Sequence, residues 1–409
     1  MLGKQIGSIF ILVGSAIGAG MLALPILGAA AGFWISIITL ILIWAIMLTT
    51  SLLTLEVNLA FPPFKNNFGT MARETLGVPG AVVAWISFLL LLYATTASYI
   101  AGSTSLLDEL LLHGFNINLP AWCDSLIFTL VFGSAVYYSV STVDYLIRFL
   151  LSIKGVLLIL TIALLMPYID YSKLILHSSR FNYIWVAVPI FVNAFGFHFV
   201  IPSISTYCDK NARVLRRVII IASVTPLIIY IFWLFVTLGI VPLLGKDSFQ
   251  AVAQNHTSIG GFIFFLGKII QNKTVVIFIN AFSNIAMTTS FLGVSLGLFD
   301  FLADGFKRKN TRFGRLQTAL LTFTLPFIFA ILYPDGFILA LEYSAFFAIV
   351  LEIFLPAFMA YKLRKSKVLQ SEYHCCMNKP IITVALTLIG IIFMTIIITE
   401  RLGLLPQIF

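Results

Sequence analysis

The strongest constraint in this sequence is a series of long apolar stretches that recur along the whole chain. Each is about 20 residues long, the length that an α-helix needs to cross the hydrocarbon core of a bilayer. Only 10% of the 409 residues are charged, whereas a soluble protein carries about 25%. We therefore predict an all-α polytopic membrane protein with a single domain, 1–409. Its eleven predicted transmembrane helices are 6–31, 34–60, 81–107, 121–141, 149–168, 183–206, 217–240, 274–302, 314–332, 337–361 and 380–399.

The basic residues between the spans predict the orientation. With the N-terminus in the cytoplasm, 19 of the 25 lysines and arginines belong to the cytoplasmic side. An excess of basic residues in short loops marks that side, so the C-terminus is predicted to be periplasmic. A further apolar stretch near 260–270 is too short to cross the membrane and is predicted to lie in a long outer loop.

Span one contains three glycines and a proline near its centre, in the segment Gly14-Ser-Ala-Ile-Gly-Ala-Gly20 and at Pro25. Glycine and proline weaken the helical hydrogen-bond ladder, and lipid offers no replacement partners for the released groups. The alternative is close helix packing, because Gly14 and Gly18 also form a G-x-x-x-G face. We interpret the segment as a break because span six repeats it.

Span six has the corresponding feature at Gly196 and Pro202. Gly18 precedes Pro25 by seven residues, and Gly196 precedes Pro202 by six. Interrupted spans at corresponding positions of two halves indicate a transporter whose substrate site lies between the breaks. The sequence therefore predicts a five-plus-five inverted repeat with broken helices 1 and 6. The repeats are about 6–168 and 183–361, followed by an extra helix at 380–399.

The main-chain groups released at such breaks suit an amino acid. Half-helix N-termini present unpaired N–H groups and a partial positive charge, so the amides from Gly18 to Gly20 are predicted to hold a carboxylate. Carbonyl groups near Asn193 and Phe195 are predicted to accept hydrogen bonds from an α-ammonium group. The predicted substrate-binding residues are Ser15, Gly18, Ala19, Gly20, Tyr93, Tyr99, Asn193, Phe195, Gly196, Phe197 and Ser290.

Three of these residues have simpler alternative roles. Tyr93 and Tyr99 of span three are candidates to flank a substrate ring, but 14% of the chain is aromatic, so packing alone is the alternative role of each. Ser290 of span eight is a candidate to face the span-one break, or to hydrogen-bond to the preceding turn of its own helix. The sequence leaves these alternatives open.

Three motifs resemble those of one family of permeases. They are Ile17-Gly-Ala-Gly-Met-Leu-Ala-Leu-Pro25, Phe195-Gly-Phe-His198 with Val200-Ile-Pro-Ser-Ile204, and Ser290-Phe-Leu-Gly-Val-Ser-Leu-Gly-Leu-Phe-Asp300. The chain resembles the hydroxy/aromatic amino acid permeases from Gly7 to about Pro406, tyrosine-specific members first and tryptophan permeases next. The resemblance implies eleven spans, the five-plus-five repeat, no cofactor, and uptake driven by the proton gradient across a bacterial inner membrane.

The chain departs from the family pattern at three positions. Phe199 stands where the family usually has glycine, and Glu342 and Glu352 fall where small or apolar residues are expected. An unpaired carboxylate inside a span is costly, so Glu352 is predicted to be protonated or paired. These departures affect substrate choice more than mechanism. Tryptophan, phenylalanine and the hydroxy amino acids remain alternatives to tyrosine.

Two ionisable residues are candidates for proton coupling. Lys154 follows Arg148 by six residues, or about 9 Å along the helix, and an intramembrane lysine usually faces a cavity or a partner. The alternative is that its ammonium group extends back to the headgroups. The family resemblance implies a lysine here, and proton-coupled relatives with the same repeat use one in place of a sodium ion. His198 either titrates near neutral pH or stays neutral beside a freed carbonyl.

Other classes of function find little support. Gly293-Val-Ser-Leu-Gly297 matches the G-x-S-x-G pattern of hydrolases, but it lies inside a span rather than at a strand-to-helix turn. The chain has no Walker A or H-E-x-x-H motif, and its four cysteines lack metal-ligand spacing. We expect no enzyme, no metal site and no nucleic-acid partner, and the oligomeric state is left open. A channel is the alternative of another class, although channels favour pores built by repeated subunits.

Overall fold

All regular secondary structure in the described part of the chain is helical. The structure is a computed structural model that describes residues 2–18, 20–62, 67–175, 182–254, 258–308, 311–366, 371, 373–375 and 380–405. Ten helices in these residues are long and apolar enough to cross a membrane, and a bent pair near the N-terminus makes up to eleven. The prediction of an all-α polytopic membrane protein is therefore confirmed.

The candidate spans are numbered in chain order. Span one consists of Leu2–Ala16 and Gly20–Gly28, and span six of Ile184–Ala194 and Ile201–Tyr207. Span ten contains a π-helical turn, Val350–Phe354, between Phe337–Ile349 and Leu355–Lys365. The other spans are two (Phe33–Leu59), three (Phe68–Phe115), four (Ala121–Tyr138), five (Val140–Leu165), seven (Ala212–Ile240), eight (Lys273–Gly305), nine (Arg312–Leu332) and eleven (Pro380–Arg401).

Span three begins thirteen residues earlier than the apolar pattern predicted. Its first turns, from Phe68, are separated from the rest by Gly77, which has φ 77° and ψ −167°. A positive φ of this kind is readily adopted only by glycine, and Pro79 in the next turn provides no N–H for the ladder. Span five also starts earlier than predicted, at Val140. The prediction missed its first turns because they carry charged residues, which interrupt the apolar pattern. Arg148 pairs there with Asp144.

The apolar stretch near 260–270 forms a helix of 12 residues, Ile259–Ile270, which is too short to cross the membrane, as predicted. It packs against spans three and eight. A Cβ built on Gly260 would lie 2.2 Å from the Ser105 carbonyl oxygen, so the two backbones approach each other where only glycine fits. This close contact fixes the helix on the C-terminal half of span three.

In the described residues, four of the five pairs of corresponding spans in the two predicted halves pack against each other. Span one contacts span six, and the same holds for spans two and seven, three and eight, and four and nine. The second half of span one lies against the first half of span six, and the first half of span one against the second half of span six. The two broken spans therefore run antiparallel. This packing is what an inverted repeat would produce, and the repeat itself stays a prediction.

Candidate site between the two broken helices

The break in span one is a sharp turn between two half-helices whose axes differ by 48°. The Gly18 N–H donates to the Ala16 carbonyl at 2.8 Å, and the Met21 N–H donates to the Gly18 carbonyl at 3.2 Å. Ser15 lies in the last turn of the first half-helix and is partly buried. Ala19, a predicted ligand of the carboxylate, lies outside the described residues. The segment is a helix break, and the G-x-x-x-G packing alternative does not account for it.

Two hydroxyl groups, one from span three and one from span eight, lie next to Gly18. A Cβ built on Gly18 would lie 2.8 Å from Ser290 Oγ and 3.7 Å from Tyr99 Oη, and Tyr99 and Ser290 hydrogen-bond to each other. Of the two roles considered for Ser290, the structure shows the one that faces the break. Its neighbour Thr289 instead bonds back to the Ala286 carbonyl at 3.0 Å.

Tyr93 lies away from the breaks, although it shares span three with Tyr99. Its hydroxyl donates to the Leu321 carbonyl of span nine at 2.9 Å, and its ring packs with Leu298 and Leu302 of span eight. Six residues correspond to about 9 Å along a helix, so the two tyrosines reach different neighbours. The structure brings Tyr99 to the site and not Tyr93.

The break in span six comprises Phe195, Gly196 and Phe197, where the backbone leaves helical geometry. Both phenylalanine side chains are fully buried. The Phe195 ring packs edge-on against Tyr230, and the Phe197 ring stacks on His198. The break is therefore a packed segment closed to solvent in this conformation.

Asn193 lies in the last helical turn before the same break. Its amide Nδ2 donates to Ser344 Oγ of span ten at 2.9 Å, and its main-chain carbonyl accepts the Gly196 N–H at 3.2 Å. This carbonyl, which was predicted to receive a substrate ammonium group, already has a donor in the closed conformation.

Tyr230 of span seven joins the two breaks and was not predicted. Its hydroxyl lies 2.7 Å from the Ala16 carbonyl oxygen and 2.9 Å from the Ala194 carbonyl oxygen. These carbonyls end the first half-helices of spans one and six, where the helical N–H donors are missing. One fully buried hydroxyl thus lies within hydrogen-bond distance of both half-helix ends, and its single hydrogen is shared between the two carbonyls. A tyrosine within an apolar span gives no sequence signal for this role.

Lys154 directs its ammonium group into the span-one break. Its Nζ donates to the Ile17 carbonyl at 2.7 Å, and the residue is only 4% exposed. The ammonium group therefore does not extend to the headgroups. A charged donor makes a stronger hydrogen bond than a neutral one, so this contact ties span five to the break.

His198 follows the span-six break directly in sequence and lies between spans two and ten. Its Nε2 is 2.9 Å from Thr50 Oγ1, and its Nδ1 is 3.6 Å from Glu352 Oε1. Glu352, predicted to be protonated or paired, thus has an ionisable neighbour that the sequence did not identify. The second unexpected carboxylate, Glu342, pairs with Arg401 of span eleven.

The Tyr230→Phe substitution tests the bridge between the breaks. Removing the hydroxyl takes the side-chain donor from the Ala194 carbonyl, while the Ala16 carbonyl keeps the Gly18 N–H; this loss is expected to lower the free energy of unfolding by about 1–3 kcal/mol. The measurement is thermal unfolding of the purified protein in detergent. Tyr145→Phe is the matched control, because Tyr145 is 75% exposed. Equal stability of the two variants would refute the bridging role.

Two broken helices that face each other are typical of secondary transporters. Family comparison agrees with this class. The chain belongs to the tryptophan/tyrosine permease family, whose family model matches residues 1–397. Membership of a permease family makes it a multi-pass membrane transport protein and not an enzyme.

Several relatives match nearly the whole chain. The tyrosine-specific transport system 1 of Haemophilus influenzae is 33% identical over 98% of both chains, and system 2 of the same organism is 32% identical over 98% of both. The tryptophan-specific transport protein of Pseudomonas aeruginosa is 33% identical over 88% of this chain and 86% of that protein. The similarity therefore includes both broken spans.

Proposed function

We propose that the protein is a proton-coupled permease that imports an aromatic amino acid, with tyrosine as its principal substrate. Two relatives named as tyrosine-specific transport systems match 98% of the chain, which supports this choice. Tryptophan is the second candidate, because a tryptophan-specific transport protein is equally similar over 88% of the chain. The excess of basic residues on one side supports a cytoplasmic N-terminus and a periplasmic C-terminus, and the bacterial relatives support a location in a bacterial inner membrane.

The close approach of the two breaks is the observation that carries the proposal. A Cβ built on Gly20 would lie 3.9 Å from the Ala194 Cα, so the main chains of spans one and six nearly touch. The N–H groups that begin Gly20–Gly28 suit a carboxylate. The Ala194 carbonyl, now bonded to Tyr230, suits an ammonium group. In this mechanism the substrate separates the breaks and its ammonium replaces the Tyr230 hydroxyl.

Protein donors fill the positions where a coupling cation would bind. In transporters with broken helices, half-helix C-terminal carbonyls coordinate the coupling ion. Here Lys154 occupies the Ile17 carbonyl, and Tyr230 occupies the Ala16 and Ala194 carbonyls. These contacts support coupling to protons rather than to sodium ions. Only the protonated amine donates strongly to Ile17, so loss of the proton loosens span five from the break.

Competition between amino acids tests the proposed substrate. Burying an aromatic ring rather than a hydroxymethyl group contributes about 1.5–3 kcal/mol, so unlabelled tyrosine should inhibit uptake at concentrations at least tenfold lower than serine. The measurement is radiolabelled tyrosine uptake into proteoliposomes, with tryptophan, phenylalanine and serine as competitors. Leucine is the matched apolar control without a ring. Equal inhibition by serine and tyrosine would exclude an aromatic-specific site.

A further inference from the structure

A buried histidine–carboxylate pair lies next to the span-six break. His198 is 0% exposed and Glu352 is 2% exposed, and their Nδ1 and Oε1 atoms are 3.6 Å apart. Within the described residues, His198 Nδ1 and Glu352 Oε2 have no hydrogen-bond partner. Buried polar atoms without partners are rare in native proteins and often mark function. This pair therefore needs a role beyond packing.

The hydrogen bonds of Thr50 orient the histidine ring. The Thr50 hydroxyl donates to the Met47 carbonyl at 3.2 Å, so it accepts from His198 Nε2 at 2.9 Å. In a neutral imidazole that donates from Nε2, Nδ1 is the acceptor. The acceptor nitrogen thus faces Glu352, and a proton placed between Nδ1 and Oε1 belongs to both groups.

Other ionisable groups on the helices around the pair are engaged elsewhere or lie at the ends of the spans. The engaged groups are Glu56 with Arg364, Glu342 with Arg401, Glu109 with His113, Lys365 with Tyr361, Tyr93 with the Leu321 carbonyl, and Tyr99 with Ser290. Arg73 and Glu74 are exposed near the inner end of span three, Lys362 is exposed near the inner end of span ten, and Glu400 lies at the far end of span eleven. In the described part of the chain, His198 is therefore the ionisable group that faces Glu352.

Charge balance requires one proton on the pair while it is buried. With that proton, the pair is either a neutral imidazole beside a carboxylic acid or an imidazolium beside a carboxylate, and both forms have zero net charge. Without the proton, a carboxylate remains in the bundle with no countercharge, which burial strongly disfavours. The proton therefore leaves only when water reaches the pair.

A narrow cleft runs from the pair toward the inner end of span three, and in this conformation it has no room for a water molecule. It is lined by Phe68, Phe88, Leu91, Phe199 and Leu351, together with the pair itself. Phe68 is the first residue of span three, on the cytoplasmic side in the proposed orientation. A proton released from the pair would leave along this cleft once it widens to admit water.

The protonation of the pair also affects the main chain at the helix break. A Cβ built on Gly196 would lie 3.1 Å from Glu352 Oε1 and 3.3 Å from Oε2, so the carboxyl group rests on the unwound main chain. A carboxylate accepts hydrogen bonds from main-chain N–H groups more strongly than a carboxylic acid does. Loss of the proton thus changes the hydrogen bonding of the segment that holds the substrate.

We propose that His198 and Glu352 form a second proton-binding site, separate from Lys154, and that two protons therefore accompany each substrate molecule. The inference rests on the proposed proton-coupled function. The pair takes up its proton when the site opens to the outside and releases it to cytoplasmic water along the cleft lined by Phe68 and Phe88. The substrate itself gains and loses no bond.

The number of coupled protons is measured from the tyrosine gradient that balances an imposed pH gradient. In proteoliposomes with the membrane potential held at zero, each coupled proton balances about a tenfold tyrosine ratio per pH unit. The wild type is expected to balance about a hundredfold ratio, and Glu352→Gln and His198→Asn about a tenfold ratio each. Glu342→Gln is the matched control, because it removes the other buried carboxylate of span ten, and it should retain the wild-type ratio.

The outcomes separate this inference from the proposed function. A wild type that accumulates no tyrosine in a proton gradient refutes the proton-coupled function itself. A wild type that balances only about a tenfold ratio, or a Glu352→Gln variant with the wild-type ratio, refutes the second site alone. If Glu352→Gln does not transport, tyrosine binding to the purified protein is measured against pH. The slope of log Kd should then fall by one unit relative to Glu342→Gln, and an unchanged slope overturns the proposal.

Discussion

Lys154→Gln is expected to lower proton-driven tyrosine accumulation by about tenfold per pH unit, while tyrosine exchange at equal pH persists. Glutamine keeps much of the side-chain length and can donate to the Ile17 carbonyl, which now accepts from Nζ at 2.7 Å. It has no proton to release, so one coupled proton is lost from each cycle. The measurement is tyrosine accumulation in sodium-free proteoliposomes, with and without an inward proton gradient.

Lys173→Gln is the matched control for this substitution. Lys173 also donates to a main-chain carbonyl, that of Ile240 at 2.6 Å, but it lies in the loop between spans five and six. Its replacement should leave the accumulation ratio unchanged. If Lys154→Gln concentrates tyrosine as well as the wild type does, Lys154 is only an anchor for the break. Accumulation driven by a sodium gradient alone would contradict proton coupling.

Gly18→Val is expected to weaken tyrosine binding by roughly 10- to 100-fold, as overpacking costs about 1–3 kcal/mol. The valine Cβ would lie 2.8 Å from Ser290 Oγ, so Ser290 must turn away and lose its hydrogen bond with Tyr99. The added methyl groups also cover the amides that are proposed to hold the carboxylate. The measurement is equilibrium binding of radiolabelled tyrosine to the purified protein.

Gly293→Val provides the control for adding valine to a membrane span. A Cβ at Gly293 meets no heavy atom within 4 Å, although this residue lies one turn from Ser290 on span eight. The Gly293→Val protein should bind tyrosine normally. Near-normal affinity in Gly18→Val would show that the span-one break does not hold the carboxylate.

The helix breaks were predictable because their cause is local in the sequence. Glycine and proline weaken a ladder that lipid cannot repair, and the spacing from Gly18 to Pro25 and from Gly196 to Pro202 revealed the correspondence. Helix ends were less predictable, because an apolar pattern marks the membrane and not the helix. The early start of span three depends on the positive φ of Gly77. A hydropathy pattern contains no information about backbone dihedral angles.

The partners of the site residues were not predictable in the same way. Tyr230 and the pairing of His198 with Glu352 depend on how spans seven and ten rotate about their own axes. That rotation is fixed by packing between residues far apart in sequence, and a single sequence contains no record of it. The same holds for Tyr93, a predicted substrate-binding residue whose neighbours in this conformation belong to spans eight and nine.

The π-helical turn in span ten shows how a permease of this kind can acquire a new ionisable group. A turn with hydrogen bonds to the fifth residue accommodates one more residue than an α-helical turn, and Glu352 sits in the middle of Val350–Phe354. Because the wider turn absorbs that residue, deleting one codon there would restore α-helical geometry while the flanking helices largely keep their faces. A single-codon deletion in this turn is thus a way to remove Glu352 without changing how the rest of span ten packs.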